Sequence, residues 1–143
     1  MAAGATDDGA RGGGCVSKQI TFEDIEAVLA KLDRTTVNPT AWGNCVYTSN
    51  ADPSHHCIVG QIWHELGRHV PGPDAEPASV GRVISARGEA DDYAPGVITA
   101  LQRLQIEADE LALSRKDDKT WGVVLDMWPR IKREAKRVAG VPA

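Results

Sequence analysis

Between Asp92 and Ser114 the apolar residues Val97, Leu101, Leu104, Ala108 and Leu111 step by four, three, four and three positions. That spacing lines side chains along one face of an α-helix, and a striped helix of this length must be covered by other elements. The seam lasts two heptads, short of the three or four that sustain a coiled coil, so it reads as the core face of a globular helix. Asp92 stands three residues before Pro95, which places Pro95 in the first turn of a helix running to about Ser114.

Shorter segments on either side carry their own punctuation. Thr21 and Asp24 form a capping-box pattern ahead of Phe22, Ile25, Leu29 and Leu32, which predicts a first helix up to Arg34 and a break at Asn38-Pro39. Gly43 to Thr48, with Val46 and Tyr47, and Ser54 to Cys57 flank the turn cluster Ser49 to Pro53. A hairpin centred on Ala51 would set Cys45 opposite Cys57. Ile58, Ile62 and Leu66 then recur at helical spacing before Gly67, and Gly60 inside that helix implies that another backbone packs against it. Pro71 to Pro77 is a loop, Ser79 caps a brief helix with Val80, Val83 and Ile84 ending at Gly88, and Thr120 caps a helix whose buried face is Trp121, Val124, Leu125 and Trp128. Pro129 kinks or restarts that helix. Beyond it, Ile131, Ala135 and Val138 form a thin apolar stripe among basic residues.

These elements predict one α+β domain, predominantly helical, with about four helices packed around a short β-hairpin; an all-helical bundle is the alternative. Ile25, Leu29, Tyr47, Ile62, Leu66, Leu101, Leu104, Trp121 and Leu125 are the expected core. With one Phe and two Tyr against four Trp in 143 residues, each tryptophan is an expected anchor. Residues 1–18, rich in Gly, Ala and Asp, cannot offset the entropy of ordering and read as a disordered tail. Residues 19–128 read as the globular domain and 129–143 as a basic helix and tail.

No run approaches the roughly 18 apolar residues a membrane span needs, and the N-terminus lacks an apolar signal region, so the expected setting is the cytoplasm. Three cysteines are too few for a disulfide framework and are expected as thiols. Charge is uneven: Arg130 to Arg137 holds five basic side chains and one Glu, a net +4 in a chain of net −4, so an acidic body carries a basic tail helix.

His55, His56, His64 and His69 cluster within fifteen residues, beside Cys45 and Cys57. A zinc site would draw on Cys45, His55, His56 and Cys57, but no C-x-x-C knuckle or H-x-x-x-H pair occurs. Cys57 and His64 are seven apart, beyond the usual spacing of two ligands on one helix. Neutral thiols and surface histidines are therefore expected, with no metal and no cofactor. Cys57 at a helix N-terminus beside His56 has the ingredients of an activated nucleophile, yet alternation along an extended strand turns His56 away from it, leaving His55 as the better base. The carboxylates Asp91-Asp92, Glu107 with Asp109-Glu110, and Asp117-Asp118 fall at turns or on solvated helix faces. No catalytic residue is assigned. The basic helix could neutralise several phosphates, but it lacks a helix-turn-helix signal or stacking aromatics.

The stretch Asn44-Cys45-Val46-Tyr47, followed by Cys57 to Ile62 and Leu66-Gly67, together with Leu101 to Gln105 and Lys119 to Gly122, resembles a pattern in small uncharacterised proteins of actinobacteria and their phages. The resemblance covers roughly half the chain and implies a common small fold without a reaction. The residues and the resemblance together lead to the expectation of a non-catalytic, regulatory protein-binding module, phage-like and acting on a host protein. Trp128, Arg130 and Arg133 are its expected contacts, because tryptophan and arginine are favoured interface anchors. A nucleic-acid binder using the basic helix and a Cys/His zinc or thiol protein are the alternatives.

Overall fold

The computed structural model describes residues 19–38, 40–41, 44–45, 47–48, 56–72, 78–115 and 117–142. Among the described residues there are six α-helices: α1 (Phe22–Leu29), α2 (Ile58–Glu65), α3 (Val80–Ala86), α4 (Val97–Leu113), α5 (Trp121–Leu125) and α6 (Trp128–Ala139). The expected tail, residues 1–18, lies outside the described residues.

The expectation of an α+β fold around a hairpin is overturned: among the described residues the chain is a helical protein, and no sheet forms a layer under the helices. Among the described residues extended pairing is confined to two residues against two, Thr40–Ala41 with Asn44–Cys45, and to isolated bridges. Cys45 pairs with Thr40 there, while Thr48 faces His56 and the Cys57 N–H donates to the Tyr47 carbonyl at 3.2 Å. Cys57 thus lies opposite Tyr47 rather than Cys45. The physical reason lies at Cys57 itself. It is the N-cap of α2, its Sγ accepting from the Gly60 N–H at 3.3 Å, so the chain turns helical where the second strand would have had to continue.

Helix starts follow the capping chemistry closely. Thr21 and Asp24 close a reciprocal capping box on α1, and Ser79 accepts from the Arg82 N–H to cap α3. Two starts differ. Gly96, not a residue before Pro95, caps α4, because the chain enters that helix through a left-handed turn at φ +89°. Thr120 stands at the N-cap of α5, but its hydroxyl donates to Asp118 Oδ1 at 2.7 Å.

α4 is the central element, with α2, α3, α5 and α6 packed on it, and α1 packs against α2. Val97, Leu101, Leu104, Ala108 and Leu111 are all buried, so the seam is the core face. Of the expected core, Leu66 and Leu125 sit at its edge, partly buried; the other seven are inside. Three tryptophans are described, and each finds a partner for its indole N–H: Trp63 donates to Tyr93 Oη at 3.1 Å, Trp121 to Asn38 Oδ1 at 2.9 Å and Trp128 to Glu26 Oε2 at 2.9 Å. α6 belongs to this core, since Trp128, Ile131 and Ala135 are buried in it.

Gly60 packs as its position predicted. A Cβ there would stand 2.6 Å from the Tyr47 carbonyl oxygen and 3.1 Å from His56 Cβ, so the 47–48 and 56 segments lie directly on α2.

Candidate functional site

The cysteine and histidine cluster divides at the N-terminus of α2. Cys57 is fully buried and its thiol donates to Gln105 Oε1 at 3.1 Å, whereas His56 faces outward, its Nδ1 3.1 Å from Thr48 Oγ1 and its ring 5.3 Å from that of His64. The Cys57 thiol proton is thus given to Gln105 on α4. His55 and the side chain of Cys45 lie outside the described residues. Among the described residues no three His, Cys, Asp or Glu side chains converge as a metal set.

Inward of Cys57 lies a polar network. Asn38 Oδ1 accepts from the Ile58 N–H and from Trp121 Nε1, both at 2.9 Å, and Gln105 Oε1 accepts from the Val59 N–H at 3.2 Å. Both amide NH₂ groups donate to one oxygen, Asp109 Oδ1, at 2.9 Å each. The orientation of the amides follows without ambiguity, because a carboxylate only accepts while peptide and indole N–H groups only donate. Negative charge at Asp109 thereby reaches the donor end of α2 through two polarised amides. These hydrogen bonds tie Asn38, in the segment after α1, to α2, α4 and α5.

α6 presents the opposite situation. Pro129 sits in its first turn, where a missing N–H costs nothing, and Gly140 closes it at φ +72°. Its inner edge is pinned to α1: Glu26 Oε2 accepts from Lys132 Nζ at 2.6 Å as well as from Trp128, and Lys136 Nζ stands 5.3 Å over the Phe22 ring. The Lys132 hydrogen bond, then that of Trp128, holds the Glu26 carboxyl below its ordinary pKa. Arg137 pairs with Glu134 on the outer edge. Arg130 and Arg133 are exposed and make no side-chain hydrogen bond or ion pair among the described residues.

Trp128, expected as a partner contact, is 6% exposed and closes the core against Phe22, with ring centroids 6.3 Å apart. It anchors α6 on α1. Arg130 and Arg133 do face outward, and Arg130 stands where two grooves meet. One, of about 630 Å³, runs between the C-terminal half of α4 and α5, floored by Leu111, Val123, Val124 and Met127 and rimmed by Glu107, Glu110 and Asp126. The other, of about 370 Å³, runs between α4 and α6 over Ile131, Ala135 and Val138, with Arg103 and Glu134 at its edges.

The α4 wall of these grooves was not singled out from the sequence. Ile106 and Leu113 lie off the Val97 to Leu111 seam and are 42% and 52% exposed, as Val138 on α6 is at 63%, but of these three it is Val138 that lines a groove. By helical spacing Arg103, Glu107, Glu110 and Ser114 run along the α4 side of the two grooves. Among the described residues no helix is long and apolar enough to cross a membrane. No known protein family, curated protein or solved structure matches this chain.

Proposed function

We propose that the chain is a non-catalytic protein-binding module that takes its partner along the α4–α6 face. The observation that carries the reading is Arg130: an exposed guanidinium with no ion-pair partner among the described residues, at the junction of two apolar-floored grooves. Arginine presents a planar donor fork to carboxylates and pairs well beside apolar surface. Val138, 63% exposed, adds apolar surface to the second of these grooves. A fitting partner is a mostly apolar segment carrying one or two carboxylates for Arg130 and Arg133. The resemblance to small actinobacterial and actinophage proteins supports a bacterial protein as that partner and a regulatory role by occupancy.

Nucleic acid is the weaker reading on electrostatic grounds. Of the five cations in α6, Lys132, Lys136 and Arg137 are engaged by Glu26, Phe22 and Glu134, leaving two. Two phosphate contacts give a salt slope of only about −1.8, and Glu107, Glu110, Asp126 and Glu134 along the same grooves repel phosphates.

The test is affinity capture from a lysate of the source organism, with and without nuclease, using the native chain and Arg130→Glu with Arg133→Glu. The reading requires a nuclease-resistant protein partner whose capture falls by about tenfold or more in the double variant. Capture that disappears with nuclease would replace it with nucleic-acid binding, and capture indifferent to both charge reversals would end it.

A further inference from the structure

Most charges around the α4–α6 grooves are already matched within the chain. Glu107 pairs with Arg103 at 2.6 Å, Asp126 with Arg34 at 2.9 Å and Glu134 with Arg137. Two are not. Glu110 on α4 and Arg130 on α6 line the same groove and are both exposed, and among the described residues neither makes an ion pair or a side-chain hydrogen bond, with the other or with any other group. Apolar exposure gathers beside them. Of the four exposed large apolar side chains among the described residues, three lie on these two helices: Ile106 and Leu113 on α4 and Val138 on α6. Ile106 stands four positions before Glu110 and Leu113 three after it, so the three share one strip of the helix surface. Val138 lies about two turns beyond Arg130, along the second groove.

We infer that this face pairs with the same face of a second copy of the chain in a two-fold homodimer, Arg130 of each copy meeting Glu110 of the other. A two-fold interface sets one patch against itself, so the patch must carry both members of every charged pair, and each contact then occurs twice. Glu110 and Arg130 meet that requirement: they are opposite in sign, they stand on different walls of one groove, and they lack an ion-pair partner among the described residues. A partner of one sign would satisfy only one of them. The driving force is the burial of Ile106, Leu113 and Val138 from both copies, while the ion pairs set the register, because exposed charges that give up water to pair gain little net energy. With few apolar side chains per copy the interface falls at the small end, and a dissociation constant on the order of 10 μM or weaker follows. The inference goes beyond the partner reading and does not rest on it. Where both hold, a second copy and the partner exclude one another on this face, and dilution frees it.

The test is sedimentation of the purified full chain across about 1 μM to about 1 mM, for the native sequence, Arg130→Glu, Glu110→Arg and the two substitutions combined. The native chain is expected to pass from the mass of one chain to that of two as concentration rises, and no further, because a two-fold interface closes on itself. Each single substitution acts twice in the dimer and sets like charges opposite each other, so each should weaken association by about tenfold or more. The combined variant exchanges the two charges and should associate within about threefold of the native chain. That recovery also shows that neither single variant has merely lost its fold. A chain that stays monomeric at every concentration would overturn the inference, as would association indifferent to the single substitutions or a combined variant no tighter than they are. Because the purified chain alone is measured, such a failure leaves the captured partner of the preceding reading standing.

Discussion

Two polar constellations of similar size meet opposite fates in this molecule. Around the start of α2, Asn38, Gln105 and Asp109 are buried or half-buried, and every donor and acceptor described there serves another element of the fold. On α6, Lys132 and Trp128 are held on the inner edge by Glu26 of α1, while Arg130 and Arg133 are turned to solvent. The difference is one of desolvation. A buried amide left unpaired costs far more than the hydrogen bond it makes is worth, so an interior network must be complete, whereas an exposed guanidinium is satisfied by water and remains available. The interior polar residues specify how helices join; Arg130 and Arg133 on α6 are turned outward.

Substitutions should separate the two regions by size of effect. Asn38→Ala strands the Ile58 N–H and the Trp121 indole N–H in the interior, and urea unfolding should show a loss of about 3–4 kcal/mol. A loss below about 1 kcal/mol would mean the network is not holding α2 and α5. Gly60→Ala drives a Cβ into the Tyr47 carbonyl at 2.6 Å, and since backbone cannot yield as a flexible side chain can, about 2–3 kcal/mol should be lost in the same assay. Trp128→Phe keeps the ring against Phe22 but removes the donor to Glu26, for about 1 kcal/mol.

The smallest effect should be the pH dependence tied to Glu26. Its carboxyl is held below the ordinary glutamate value, so its contribution is present above the unfolded-state pKa and is lost as pH falls through the lower folded value. Between about pH 5 and about pH 3 the native chain should lose more stability than Glu26→Gln does, measured as urea midpoints across that window. Equal losses would show that the Lys132 and Trp128 contacts are not formed in solution.

Much of the helical plan was legible because it is written locally. The α4 seam, the Thr21–Asp24 box, the Ser79 cap and the close approach at Gly60 each rest on residues within a turn or two of one another. The hairpin was misread because Val46 and Tyr47 have strand propensity, while the competing choice at Cys57, to cap a helix, is settled by Asn38 and Gln105 from distant parts of the chain. A tryptophan among arginines suits an interface, and the anchoring role of Trp128 comes from its tertiary pairing with Glu26 and Phe22, which the local sequence does not encode. The α4 wall of the grooves and the approach of His56 to His64 depend on how helices and loops stack, which no periodicity encodes.

The central claim is that the α4–α6 face is where this protein meets its partner. Amide hydrogen exchange of the chain, alone and saturated with the captured partner, reads that face directly. The account predicts added protection in residues 103–114 of α4 and 128–139 of α6, with the start of α2 unchanged. Protection confined to α1, α2 or α3, with the α4 and α6 segments exchanging as in the free protein, would contradict it.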